Sequence, residues 1–146
     1  MRFSGKTVYV TQADTAQGEA LALRFAKEGA NLVLGFGKED LVKKVEDLGA
    51  KAMVVQPDML TYEGAEALVE EVKKTFGRID ALIFNNNNNV VKTDLEHLTR
   101  EVFESQLNDN AKAAFVLARV IGLHMAEYHS GKIVFVSSIH CDKPTG

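Results

Sequence analysis

Five short apolar runs set apart by helical patterns constrain the fold of this chain more than any other feature. Residues 7–11, 31–34, 51–56, 81–84 and 132–137 are rich in Val, Ile and Leu. They read as near-continuous apolar segments, as strands buried on both faces do. Three amphipathic patterns lie between the first four. The third is the clearest: Ala65, Leu68, Val69, Val72 and Phe76 fall at i, i+3, i+4, i+7 and i+11 and share one face. Gly29, Gly49 and Gly77 end the three helices, glycine being the residue that most readily enters the left-handed cap conformation.

Strand and helix in alternation mean parallel strands joined by right-handed crossovers. The predicted fold class is α/β, a doubly wound parallel sheet of the Rossmann type with ligands received beyond the carboxyl ends of its strands. The fourth crossover is longer, with one helix near residues 100–107 and a second over 111–128. Between 113 and 125 the second is apolar nearly all round, broken mainly by Arg119 and His124. A helix of that kind is expected to be covered on more than one side, by its own sheet and by a further segment or a partner subunit. With no internal repeat and no linker, residues 1–146 are expected to form a single domain, incomplete at its C-terminal end.

Composition narrows the function classes. A net charge of −3 with no basic stripe argues against nucleic acid as a partner. No apolar run reaches the roughly 18 residues that a membrane span needs, and the N-terminus does not read as a signal peptide. The single cysteine, Cys141, forms no internal disulfide, which suits the cytoplasm. His140 beside it lacks further ligands at zinc-like spacing, so no metal site is expected.

The first run opens into a turn, Thr11-Gln12-Ala13-Asp14-Thr15-Ala16-Gln17-Gly18. A dinucleotide-binding domain places three glycines here, so that the backbone can approach a pyrophosphate at the helix N-terminus. In this chain Gln12 and Ala16 fill the first two positions and only Gly18 remains.

The chain, over essentially all its length, resembles the N-terminal part of a short-chain dehydrogenase/reductase. The turn from Thr11 to Gly18 stands where that family has Thr-Gly-x-x-x-Gly-x-Gly. Asp58 and Met59 follow the third strand, where the family contacts adenine. The asparagine run 85–89 follows the fourth strand in place of Asn-Asn-Ala-Gly. Asn110 and Ser138 are 28 positions apart, the spacing of the family's active-site Asn and Ser. The resemblance implies an NAD(P)-dependent oxidoreductase that moves hydride between nicotinamide and a small carbonyl compound or secondary alcohol, as a homo-oligomer. Ser138 would hydrogen-bond the substrate oxygen, and Asn110 would break its helix locally and hold a water in a proton relay. Gln12, Asp14, Thr15, Gln17, Gly18, Phe36, Gly37, Lys38, Asp58, Met59, Asn86 and Asn87 would line the cofactor.

The departures from the family pattern matter as much. Gln12 should crowd the pyrophosphate, and Asp14 puts a carboxylate where like charges repel; equally, Asp14 or Thr15 would serve as an ordinary helix cap. At the end of the second strand the family's acidic residue selects NAD and a basic neighbour favours NADP. Here Phe36 fills the acidic position and Gly37 the basic one, while Lys38 could reach a 2′-phosphate, so NADP is slightly favoured over NAD. The family's acid/base tyrosine and the lysine that lowers its pKa from about 10 would lie beyond Gly146, and the chain alone is expected to be inactive.

Tyr128 and Lys132 match that Tyr-x-x-x-Lys motif only as a string. They precede the fifth strand, roughly 20 Å of strand rise from Ser138. His97, His124 and His129 read as surface or packing groups. Two other readings stay open: a non-catalytic Rossmann-type scaffold or binding protein, and a cofactor-free relative such as a halohydrin dehalogenase.

Overall fold

The computed structural model describes residues 1–86, 91 and 93–138. Five strands, β1 (Thr7–Val10), β2 (Asn31–Gly35), β3 (Ala52–Val55), β4 (Ala81–Phe84) and β5 (Lys132–Phe135), form one sheet in the order β3-β2-β1-β4-β5. Every pairing is parallel: Val8 stands beside both Leu32 and Ala81, and Lys132 beside Ala81. The order reverses between β1 and β4, and a crevice opens at that switch point beyond the carboxyl ends.

Strand alternation sorts the core into two layers. On one face Val8, Val10, Leu32, Leu34 and Ile83 pack with Ala22 and Ala26 of α1 (Ala16–Lys27) and Leu41 and Val45 of α2 (Glu39–Asp47). On the other, Tyr9, Val33, Val55, Leu82 and Phe84 pack with Leu68 and Val72 of α3 (Tyr62–Phe76) and Leu117 and Ile121 of α5 (Ala113–Glu127). Each fully buried Val or Leu among these contributes about 1.5–3 kcal/mol. Gly29, Gly49 and Gly77 follow or end the first three helices at φ between 80° and 87°, as their place in the sequence predicts.

Two expectations are corrected at the fifth strand. The run predicted over 132–137 ends at Phe135, and it is not buried on both faces: Val134 and Phe135 are about half exposed. β5 is the sheet's edge among the described residues, with β4 on one side only. In the fourth crossover, α4 (Arg100–Gln106) runs through a π-helical segment, Leu107–Lys112, into α5. The second predicted helix thus starts two residues later, because its first turn is widened. On α5, Phe115 and Leu123 are both more than half exposed, Leu123 at the groove between α5 and α3.

Candidate functional site

The turn after β1 is held by backbone and one threonine. Ala13 N donates to the Gly35 carbonyl at 2.7 Å, tying the turn to the end of β2. Thr15 Oγ1 donates to the Gln12 carbonyl at 2.9 Å and accepts from Gly18 N at 3.0 Å. Thr15 is therefore the cap of α1, while Asp14 and Gln17 are exposed. Gln12, at φ 45°, stands in the left-handed backbone region that favours glycine. A side chain there is strained but not forbidden.

At the end of β2, Phe36 N donates to the Val55 carbonyl at 2.9 Å, and the residue stands at φ 57° with its ring partly exposed. Gly37 lies against Leu34, and Lys38 is the exposed N-cap residue of α2, with no side-chain cap bond. Beyond β3 the Asp58 carboxylate accepts from Leu60 N at 2.9 Å and Thr61 Oγ1 at 2.8 Å. Those bonds, the backbone N–H first, with the Lys112 charge, hold its carboxyl below the usual aspartate range.

Beyond β4, Asn85 N donates to Thr11 Oγ1 at 2.7 Å and Asn86 Nδ2 donates to the Asp109 carbonyl at 2.5 Å. The second bond fastens the strand end to the π-helical segment. Asn110 lies in that segment, where the helix is locally broken, and its Nδ2 donates back to the Gln106 carbonyl at 2.9 Å. Ser138 is exposed, three positions past the end of β5. Asn87, like His140 and Cys141, lies outside the described residues. Tyr128 and Lys132 sit at the amino end of β5, the opposite end from Ser138: the Tyr128 ring lies against His124 under the Arg78 guanidinium, and Lys132 begins β5.

Gln12, Phe36, Asp58, Met59 and Asn86, drawn from four strand ends, line one cleft of about 280 Å³. Asp14, Thr15, Gln17, Gly18, Gly37, Lys38, Asn110 and Ser138 do not line it. Thr15 and Gly18 shape the turn from behind. Pro57, Leu60, Asp109 and Ala113 complete the wall and were not foreseen. Asp109 presents a backbone carbonyl toward Asn86, which no sequence motif marks, and Ala113 opens α5 directly after the π-helical segment. Among the described residues the buried oxygens Gln12 Oε1 and Asn86 Oδ1 have no hydrogen-bond partner. Unpaired acceptors at a cleft wall suit a ligand bearing hydroxyl or amino donors, as a nucleoside does.

The sequence model of the short chain dehydrogenase family matches residues 6–146. This chain belongs to that family of oxidoreductases. It is 34% identical over 142 residues to the 1,6-dihydroxycyclohexa-2,4-diene-1-carboxylate dehydrogenase of Acinetobacter baylyi, covering 94% of this chain and 54% of that protein. It is 28% identical to the glucose 1-dehydrogenase 2 of Bacillus subtilis, covering 97% and 57%. The chain thus spans a little over half the length of these relatives. An NAD+-bound xylitol dehydrogenase superposes with a TM-score of 0.92 at 27% identity, over 99% of this chain and 57% of that one. An NADH-dependent reductase of alginate metabolism, 19% identical, shares the fold with a TM-score of 0.87. Among the described residues no helix is long and apolar enough to cross a membrane.

Proposed function

We propose that this chain is the nucleotide-binding part of an NAD(P)-dependent oxidoreductase acting on a small carbonyl compound or secondary alcohol. The observation that carries the reading is the convergence of Gln12, Phe36, Asp58, Met59 and Asn86 on one cleft at the β1/β4 switch point. The nicotinamide group, when bound, supplies the hydride chemistry. The chain's own residues bind and orient. The N-terminus of α1, capped by Thr15 and approached through Gly18, would face the pyrophosphate with unpaired N–H groups. Asp58, kept ionised by its two hydrogen bonds, would accept from the adenine amine, with Met59 beside it. Asn86 and Asn87 would border the nicotinamide ribose.

Ser138 would donate to the substrate oxygen, and Asn110, within the π-helical segment, would hold a water in a proton relay. The exposed Lys38 supports NADP slightly over NAD. The exposed Phe115 and Leu123 on α5 support self-association, and the lone Cys141 supports a cytoplasmic setting.

Titration with NADPH and then NADH, followed by nicotinamide fluorescence, tests the reading. Micromolar binding is expected, tighter for NADPH. Absence of binding by folded protein overturns it. A second reading, a non-catalytic Rossmann-type scaffold, draws on the side chain at Gln12. Tight nucleotide binding with no turnover by the complete gene product would favour that one.

A further inference from the structure

The end of β2 poses a chemical question that the end of β1 answers. In dinucleotide sites a carboxylate at the end of the second strand usually takes the ribose hydroxyls. Here that position holds Phe36, whose ring accepts no hydrogen bond of comparable strength. Gln12 lines the same cleft as Phe36, and its carboxamide oxygen is buried with no partner among the described residues. Asn86, 4% exposed, also lines the cleft and carries a second buried oxygen without a partner among the described residues, and its orientation is fixed because its Nδ2 is committed to the Asp109 carbonyl. A phosphate brings only acceptors and cannot satisfy either oxygen; a sugar hydroxyl brings a donor. The left-handed backbone at Gln12 is a conformation that glycine would hold without strain. A glutamine kept there needs a compensating gain.

We propose that Gln12 is a further cofactor-binding residue whose side-chain oxygen accepts a hydrogen bond from the 3′-hydroxyl of the cofactor's adenosine ribose, the hydroxyl that NAD and NADP share, in place of the missing carboxylate. The inference rests on the dinucleotide reading. It inverts the expectation drawn from sequence that Gln12 merely crowds the cofactor. Asn86 supplies a second acceptor in the same cleft, so Gln12 and Asn86 suit a hydroxyl donor while the Asp58 carboxylate carries the charge in that cleft.

The test compares the full gene product with its Gln12→Gly variant, using ADP and 2′,3′-dideoxy-ADP as probes in calorimetry and thermal melting as the check on folding. The unmodified protein should bind ADP about tenfold more tightly than the dideoxy analogue, in line with the loss of one well-formed hydrogen bond. Gln12→Gly should melt at an equal or higher temperature, bind ADP about tenfold more weakly, and lose most of the discrimination. Tighter ADP binding in Gln12→Gly would mean that the side chain only obstructs, and would overturn the proposal. So would discrimination that persists unchanged. Failure of the unmodified protein to bind ADP, NADH or NADPH overturns the dinucleotide reading itself, and is distinguished from the other outcomes because it appears before any substitution is made.

Discussion

Gly18→Ala should damage this fold more than the two glycine replacements already present in the turn. A Cβ on Gly18 would overlap the Gln12 carbonyl oxygen and stand 2.8 Å from Ala13 Cα and 2.9 Å from Gln12 C. Carbon pairs rest at about 3.5–4.0 Å, and all three obstacles are backbone, so no side-chain rotation relieves them. α1 would have to move away from the β1 turn. Overpacking of that kind costs about 1–3 kcal/mol, and the upper half of the range applies where the backbone itself must shift. The displacement also stretches the 3.0 Å cap bond from Gly18 N to Thr15 Oγ1, worth about 1 kcal/mol. Alanine's better helix propensity returns about 1 kcal/mol. The net loss is about 2–3 kcal/mol, or about 5–12 °C in Tm for a chain of this size.

Urea denaturation followed by far-UV circular dichroism measures the loss directly, with Ala16→Gly as the control. Ala16 is exposed at the first position of α1, so that change should cost at most about 1 kcal/mol. A Gly18→Ala protein within about 0.5 kcal/mol of the parent would refute the packing argument, since the turn would then have slack that the geometry denies. The comparison explains why two glycines could be lost and the third kept. Gln12 turns its side chain toward the cleft and Ala16 toward solvent, whereas Gly18 is wedged beneath the turn.

Three further outcomes are expected. Tyr9 is fully buried and its hydroxyl has no partner among the described residues, so Tyr9→Phe should leave stability unchanged or raise it by up to ~1 kcal/mol; chemical denaturation showing a loss above ~1 kcal/mol would contradict this. His124 is buried, with Nε2 accepting from Ile79 N at 3.2 Å, and burial pulls its pKa below the usual histidine value despite the nearby Glu127 and Glu70 carboxylates, with Lys73 and Arg78 acting in the same direction as burial. The unfolded chain therefore binds the extra proton first, and stability should fall as pH drops below about 6.5, by at most ~1.4 kcal/mol per pH unit from this group. His124→Gln should flatten that slope when urea midpoints are compared between pH 7.5 and 5.5, and an unchanged slope would place the titration elsewhere. Leu123→Glu, at an apolar residue exposed on α5 as Phe115 is, should reduce self-association by light scattering without lowering Tm; a parent protein that is already monomeric at high concentration would remove the basis for an interface there.

How legible the chain was depends on what kind of information each feature needs. The alternation of β-strands and helices, the glycine stops and the parallel order follow from side-chain volume and period, which are local properties of residues such as Val8, Leu68 and Gly77. The edge exposure of Val134 and Phe135 was not legible, because an apolar run does not say whether a neighbour covers it. At the site, the sequence marked Gln12, Phe36, Asp58, Met59 and Asn86, which share a cleft since each follows a strand whose carboxyl end faces the same way. It did not mark Asp109 or Ala113, whose roles depend on a carbonyl and on where α5 opens after the π-helical segment. Nor did it mark the sense of Gln12. A residue in place of a glycine reads as an obstruction until the backbone angle, the buried oxygen and the absent carboxylate at Phe36 are considered together. The same three facts then make the side chain a candidate for binding, and a single substitution to glycine separates obstruction from recognition by the sign of the change in affinity.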